Sequence, residues 1–85
     1  MNDKARHIRE RFPDKKHTID LLTTEDPEFY TLCEDHDACV DALRYWAASE
    51  KPEAENRVAE YRALVRELQD EIAQDLMALE PRRLD

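Results

Sequence analysis

The stretch EDPEFYTLCEDHDACVDALRYW, residues 25–46, decides the fold. Asp26 can accept hydrogen bonds from the free N–H groups of a helix start, and Pro27 suits the first helical position. Side chains suited to a buried stripe then recur in alternating steps of three and four, which is the heptad pattern of packed helices. The members of this stripe are Phe29, Leu32, His36, Cys39, Leu43 and Trp46. The stretch predicts a long amphipathic helix over residues 27–49.

A second amphipathic pattern follows after a short break around Pro52. It predicts a helix over residues 54–79. The stripe of this helix consists of Val58, Tyr61, Val65, Leu68 and Ile72. A short connection between two long amphipathic helices implies an antiparallel helical hairpin, in which the two stripes face each other. We call the two stripes together the seam.

The rest of the chain divides into shorter pieces. Pro13 keeps the residue before it out of the helical region, so residues 1–12 are predicted to form a separate basic N-terminal arm. Residues 13–22 are predicted to form a short helix, and residues 81–85 a polar tail that begins at Pro81. Eighty-five residues make a single small domain, 1–85, and a chain without glycine favours an all-α fold.

A further apolar row lies beside the seam of the first long helix: Cys33, Val40 and Ala47. A face of three apolar positions in seven is typical of a globular bundle, in which another element covers the added row. The short N-terminal helix could cover it, and so could a second hairpin. Because a symmetric dimer is the commonest oligomer, we expect two hairpins to pair into a four-helix homodimer.

The net charge of −8 is unevenly distributed. Residues 1–17 contain six basic residues and three acidic ones, and the other residues hold the negative charge. The basic residues of the arm are Lys4, Arg6, Arg9, Arg11, Lys15 and Lys16. The overall charge argues against a nucleic-acid partner, which requires a basic surface. The arm alone could contact an acidic partner, nucleic acid included, or complement the acidic body of its own chain.

The composition also bears on the location of the protein. No apolar run reaches the roughly 18–20 residues of a membrane span, and no signal-peptide pattern is present. We therefore expect a cytoplasmic protein without a membrane partner.

Cys33, His36 and Cys39 could suggest a metal or redox site. The two cysteines lie about 240° apart around the helix and about 9 Å apart along it, too far for a disulfide within one chain. The sequence contains no CxxC or HxxxH pair to complete a metal site, and no glycine for a phosphate-binding loop. We expect free, buried thiols, no metal, no cofactor and no catalytic residue. A thiol or metal sensor that uses these three residues remains an alternative.

His36 occupies a seam position, where a polar residue commonly fixes register or oligomeric state. Glu34, Asp35, Asp37 and Glu71 are predicted to lie near it. Carboxylates favour the imidazolium form, and one hypothesis is that the association varies around pH 6–7. The expectation we favour is a partly exposed imidazole that a neighbouring carboxylate satisfies.

Two stretches match a known pattern: FPDKKHTIDLLTTEDPEFYTLCEDHDACVDAL (residues 12–43) and LVRELQDEIAQDLM (residues 64–77). The matching residues are Phe12-Pro13, Ile19, Leu22, Pro27, Phe29, Leu32, His36, Leu68, Glu71 and Ile72. In these residues the chain resembles the YdcH-like family of small bacterial helical proteins of unknown function. The chain departs from the family pattern at Cys39, Val40 and Tyr45-Trp46, and in residues 1–11. The resemblance implies a bacterial, cytoplasmic helical hairpin and brings no catalytic residues.

Taken together, these patterns predict a non-enzymatic helical protein that acts by self-association or by binding another protein. A dimeric regulator whose basic arm binds nucleic acid is the first alternative, and the thiol or metal sensor is the second. The residues expected to carry the interaction are Phe29, Leu32, Cys33, His36, Cys39, Val40, Leu43, Trp46, Val58, Tyr61, Val65, Leu68 and Ile72.

Overall fold

The computed structural model describes residues 5–84, with side chains up to residue 79. Its four α-helices are α1 (Arg6–Arg11), α2 (Lys16–Glu25), α3 (Pro27–Ala47) and α4 (Ala54–Leu84), and one turn of 3-10 helix (Pro13–Lys15) precedes α2. No strand occurs within residues 5–84, so the protein has an all-α fold. The helices of this range include none with the length and apolar character needed to cross a membrane.

Asp26 caps the start of helix α3. Asp26 Oδ1 accepts the backbone N–H groups of Glu28 at 3.0 Å and Phe29 at 3.2 Å. Pro27 occupies the first turn, where its missing N–H costs no hydrogen bond. The helix ends at Ala47, two residues before the predicted boundary of residue 49.

The N-terminal part of the chain is more helical than the sequence predicts. Within the arm of residues 1–12, residues Arg6–Arg11 form α1, which ends before Phe12 leaves the helical region (φ −125°, ψ 68°). Helix α2 extends to Glu25, three residues past the predicted end of the short helix. The hydroxyl groups of Thr23 and Thr24 donate to the carbonyl of Asp20 at 3.0 and 2.9 Å. Both threonines thus bond inside the helix, which continues past them to Glu25.

Helix α4 runs through Pro81 to Leu84, whereas the sequence predicted an end at residue 79 and a separate tail. A proline removes a single backbone N–H donor from a helix. Here that loss falls in the last turn of a helix of 31 residues. The preceding turns stay hydrogen-bonded, so the backbone continues past the proline.

The core lies at one end of the pair formed by α3 and α4. Helices α1 and α2 both pack on α3, and α2 also reaches α4. The core consists of Ala5, Ile8, Ile19, Phe29, Cys33, Ile72 and Leu76, with Phe12, Leu22 and Leu32 packed against it. All four helices thus contribute to one cluster.

The other end of the α3–α4 pair has no such cover. Between residues 37 and 71, Ala54 in the first turn of α4 is the only buried residue. The radius of gyration is 14.4 Å, compared with about 12 Å for a compact domain of this length. The molecule is therefore elongated, with a packed end and an open end.

Candidate interaction surface

The seam predicted from the sequence divides into two parts in the structure. At the packed end Phe29, Cys33, His36 and Ile72 are buried. At the open end seven seam and row residues are half-buried: Val40, Leu43, Trp46, Val58, Tyr61, Val65 and Leu68. We call these seven the open seam. Leu32 and Cys39 are also half-buried. The open seam thus consists of apolar side chains that keep part of their surface in water.

The row beside the seam of α3 is covered at one position. Cys33 is fully buried in the core that α1 and α2 complete, Val40 is half-buried, and Ala47 is exposed. The short N-terminal helices therefore cover the first turn of this row and leave the rest accessible.

An aromatic and cationic cluster surrounds the turn at the open end. The ammonium of Lys51 lies 5.7 Å from the ring centre of Tyr45 and 5.8 Å from that of Trp46, and it donates to the Tyr45 hydroxyl at 3.1 Å. The guanidinium of Arg57 lies 6.0 Å from the ring centre of Trp46. The sequence analysis missed Lys51, which lies in the turn between the helices, and Arg57, whose contact joins α4 to α3. Aromatic residues with nearby arginine are typical of protein interfaces.

His36 is buried, with 1% of its surface exposed. The amide nitrogen of Gln69 on α4 lies 3.1 Å from its Nε2. With Nε2 as the acceptor of this hydrogen bond, the neutral ring carries its proton on Nδ1, which has no hydrogen-bond partner among the described residues.

The expectation that nearby carboxylates favour the charged form of His36 is wrong. Burial lowers the pKa of His36 below its ordinary value; Asp37 opposes this shift, and His7 adds to it. Glu34, Asp35 and Glu71 are exposed to solvent, and Asp37 Oδ1 is 4.0 Å from Nδ1. Neighbours in sequence on a helix point in different directions, so only Asp37 of this acidic group acts on the ring.

Helix α1 is attached to α3 by a polar cluster that the sequence did not reveal. Asp37 accepts the backbone N–H groups of Arg6 at 3.2 Å and His7 at 3.0 Å. Nε2 of the buried His7 lies 3.0 Å from Asp41 Oδ1, and this hydrogen bond is the main cause that lowers the pKa of Asp41. The partners lie thirty or more positions apart, so no local pattern could predict them.

The basic arm is largely engaged with the protein itself. Arg6 forms an ion pair with Asp41 at 3.4 Å, and Arg9 pairs with Asp20. The guanidinium of Arg11 lies 5.1 Å from the ring centre of Phe12. Lys15 is half-buried and Lys16 is exposed, while Lys4 lies outside the described residues. Of the two roles considered for the arm, these contacts favour the one in which it complements the acidic body.

Cys33 and Cys39 are both free thiols, as their spacing predicts. Burial raises the pKa of Cys33 to about 12, and burial also raises the pKa of Cys39. A thiol with a raised pKa is a poor nucleophile. Within the described part of the chain, no three His, Cys, Asp or Glu side chains are grouped closely enough to hold a metal ion.

Comparison of the chain with protein-family models, with curated proteins and with solved structures found no match.

Proposed function

We propose that this protein is a non-enzymatic association module, in which α3 and α4 form an antiparallel hairpin that pairs with a second copy. The observation that carries the proposal is the open seam. It consists of apolar side chains that recur at heptad spacing over the uncovered half of two helices and stay half-buried. Burying such a stripe against an identical one gives a local four-helix arrangement.

The contacts between the two helices support the hairpin. Trp46, near the end of α3, meets Arg57, near the start of α4. His36 in the middle of α3 meets Gln69, and Asp26 at its start lines the same cleft as Asp75. Rising positions in one helix thus meet falling positions in the other, as in an antiparallel pair.

The charges around the open seam favour a second copy as the partner. Residues 42–66 contain five basic and four acidic residues, whereas residues 25–41 contain seven acidic residues and no basic one. The seven carboxylates of the acidic half of α3 make it a less favourable place for the first contact between two copies than the mixed, nearly neutral open end. Two copies can therefore approach through their open ends.

The cluster around Trp46 supports the same surface. Tyr45 is 55% exposed although it lies next to a half-buried tryptophan. Tryptophan, tyrosine and arginine are the residues that most often dominate binding energy at interfaces. We infer that this cluster forms the edge of the dimer interface.

Two expectations from the sequence, the family and the location, belong to this proposal. Membership of the YdcH-like family and a cytoplasmic location rest on the sequence alone. The nucleic-acid alternative is weakened by the ion pairs of Arg6 and Arg9 within the protein. The sensor alternative is weakened by the burial of Cys33 and by the absence of a metal-binding group in the described residues.

Sedimentation equilibrium of a matched pair of α4 variants tests the proposal. Val65→Gln places a polar group in the open seam, and Met77→Gln makes a similar change at a side chain that is 65% exposed. We expect the wild type and Met77→Gln to dimerise, and Val65→Gln to dimerise at least about tenfold more weakly, because both copies lose apolar burial. Circular dichroism checks that each variant is folded. A monomeric wild type, or equal association of both variants, would overturn the proposal.

A further inference from the structure

Helix α1 packs mainly on α3, and contacts with other elements rather than its own sequence hold it in place. It has six residues, too few for a stable isolated helix. Its own sequence supplies no side-chain cap, and Ala5 before it has a left-handed backbone (φ 58°), which is unfavourable for a residue with a Cβ. The carboxylate of Asp37 replaces the missing cap. A short helix of this kind is expected to open locally before the rest of the protein unfolds.

Two buried histidines meet beneath this helix. The rings of His7 and His36 are 6.5 Å apart between centres, in an edge-on arrangement. Their exposed fractions are 5% and 1%, and Nδ1 of each ring lacks a hydrogen-bond partner among the described residues. Protonation of His36 would place a buried cation beside the imidazole of His7.

The groups facing His36 come from three helices. His7, Glu10 and Arg11 of α1 line a groove with it, as do Arg44 of α3 and Gln69 of α4. Asp37 of α3 is the nearest carboxylate, at 4.0 Å from Nδ1. The cations Arg11 and Arg44 offset the acids Glu10 and Asp37, so the surroundings offer no net negative charge to a protonated ring.

We propose that α1 is a pH-sensitive latch: proton uptake by His36 releases α1 from α3 and uncovers Cys33 and His36 for a second copy of the chain. The inference rests on the proposed function, because this surface continues the open seam toward the packed end. Release would lengthen the dimer interface by about two helical turns, from Val40 back to Cys33.

The direction of the effect follows from the position of His36. Burial disfavours its charged form in the latched state, whereas a released and hydrated ring titrates near its ordinary value of 6.5. The released state therefore binds the proton more tightly, and the latch opens as the pH falls below 6.5. The opening equilibrium rises by up to about tenfold per pH unit until the latched form is itself protonated. The pKa of Asp41 is lowered, so this carboxylate stays charged in the same range.

Hydrogen exchange measured by NMR, at a concentration at which the protein is monomeric, tests the latch. The reporters are the N–H groups of His7 and Arg9, which bond to Asp37 and to the carbonyl of Ala5 at 3.0 and 2.9 Å. After correction for intrinsic exchange, their opening should rise about tenfold from pH 7.5 to pH 5.5, while amides in the middle of α4 stay unchanged. Opening of α1 that does not depend on pH would overturn the proposal.

Variants assign the effect to His36. His36→Gln keeps a polar group opposite Gln69 and removes the titration, so it should abolish the pH dependence. The matched control His17→Gln changes an exposed histidine of α2 and should preserve it. Should His36→Gln fail to fold, Gln69→Glu keeps His36 and gives it a carboxylate partner, which should weaken the pH dependence. An unchanged pH dependence in the folded variant would overturn the role of His36.

Sedimentation equilibrium of the same proteins at two pH values tests the latch and the proposed function independently. Association at pH 7.5 tests the open seam alone, and the further strengthening at pH 5.5 tests the latch. We expect the wild type and His17→Gln to associate more tightly at pH 5.5, and His36→Gln to show no gain. Equal association of the wild type at both pH values would overturn the latch as a regulator and leave the proposed function intact. Monomers at pH 7.5 would overturn the proposed function, while exchange would still decide whether α1 opens.

Discussion

Asp37 Oδ1 accepts the backbone N–H of His7 at 3.0 Å, across thirty positions of sequence. The other carboxylate oxygen of Asp37 accepts the N–H of Arg6, so one side chain of α3 caps the first turn of α1. A carboxylate also complements the positive end of a helix. The cap of α1 is therefore supplied by a residue of another helix and not by its own sequence.

Replacing this cap should destabilise the protein. Asp37→Asn removes the charge and one of the two acceptor oxygens, and we expect a loss of about 1 kcal/mol in the free energy of unfolding. Urea denaturation followed by circular dichroism measures it. Asp35→Asn, an exposed position two residues earlier, serves as the control and should change stability by less than about 0.5 kcal/mol. Equal stability of the two variants would mean that Asp37 does not act as a cap.

The core at the packed end should carry most of the stability. Phe29 is fully buried where α3 meets the other helices, so Phe29→Ala should cost about 3–5 kcal/mol. This is close to the whole stability expected of so short a chain, and the variant should be largely unfolded by circular dichroism. Met77→Ala, at a side chain that is 65% exposed, is the control. A stable Phe29→Ala protein would show that the core lies elsewhere.

Local features were predictable from the sequence and tertiary ones were not. The Asp26 cap of α3 depends on residues within three positions of one another, so its pattern is visible in the sequence. The surroundings of His36, by contrast, were not predictable, because only Asp37 of its acidic neighbours faces the ring and its partner Gln69 lies on another helix. The contact of His7 with Asp41 was missed for the same reason, because it joins distant segments. The half-burial of the open seam could not be predicted either, since it depends on where α1 and α2 end.

The two thiols should differ in reactivity. The pKa of Cys33 is about 12 and its side chain is fully buried, whereas Cys39 is half-buried. Only the thiolate reacts rapidly, so a neutral alkylating reagent at pH 7.5 should modify Cys39 first. Mass spectrometry over time, with Cys39→Ser to identify the site, measures this order, and the urea-unfolded chain should lose the difference. Equal rates in the folded protein would contradict the burial of Cys33.

The pairing of Asp41 with His7 should be visible in an acid titration. The hydrogen bond from His7 is the main cause that lowers the pKa of Asp41 below 3.8. The pair therefore contributes stability that is present above 3.8 and is lost as the pH falls through the lowered pKa. NMR of the side-chain carboxyl carbon measures the midpoint. His7→Phe keeps a ring and removes the donor, so the midpoint should move up toward 3.8, and an unchanged midpoint would contradict the contact.

Quenching of Trp46 fluorescence by acrylamide, as a function of protein concentration at pH 7.5, tests most directly whether the open seam is the interface between copies. Trp46 is the only tryptophan and lies half-buried beside the aromatic cluster. If two copies pair through their open ends, the quenching constant falls as the concentration rises from low micromolar to near millimolar. A quenching constant that is the same at every concentration, even where the sedimentation mass increases, would place the interface elsewhere and contradict the account.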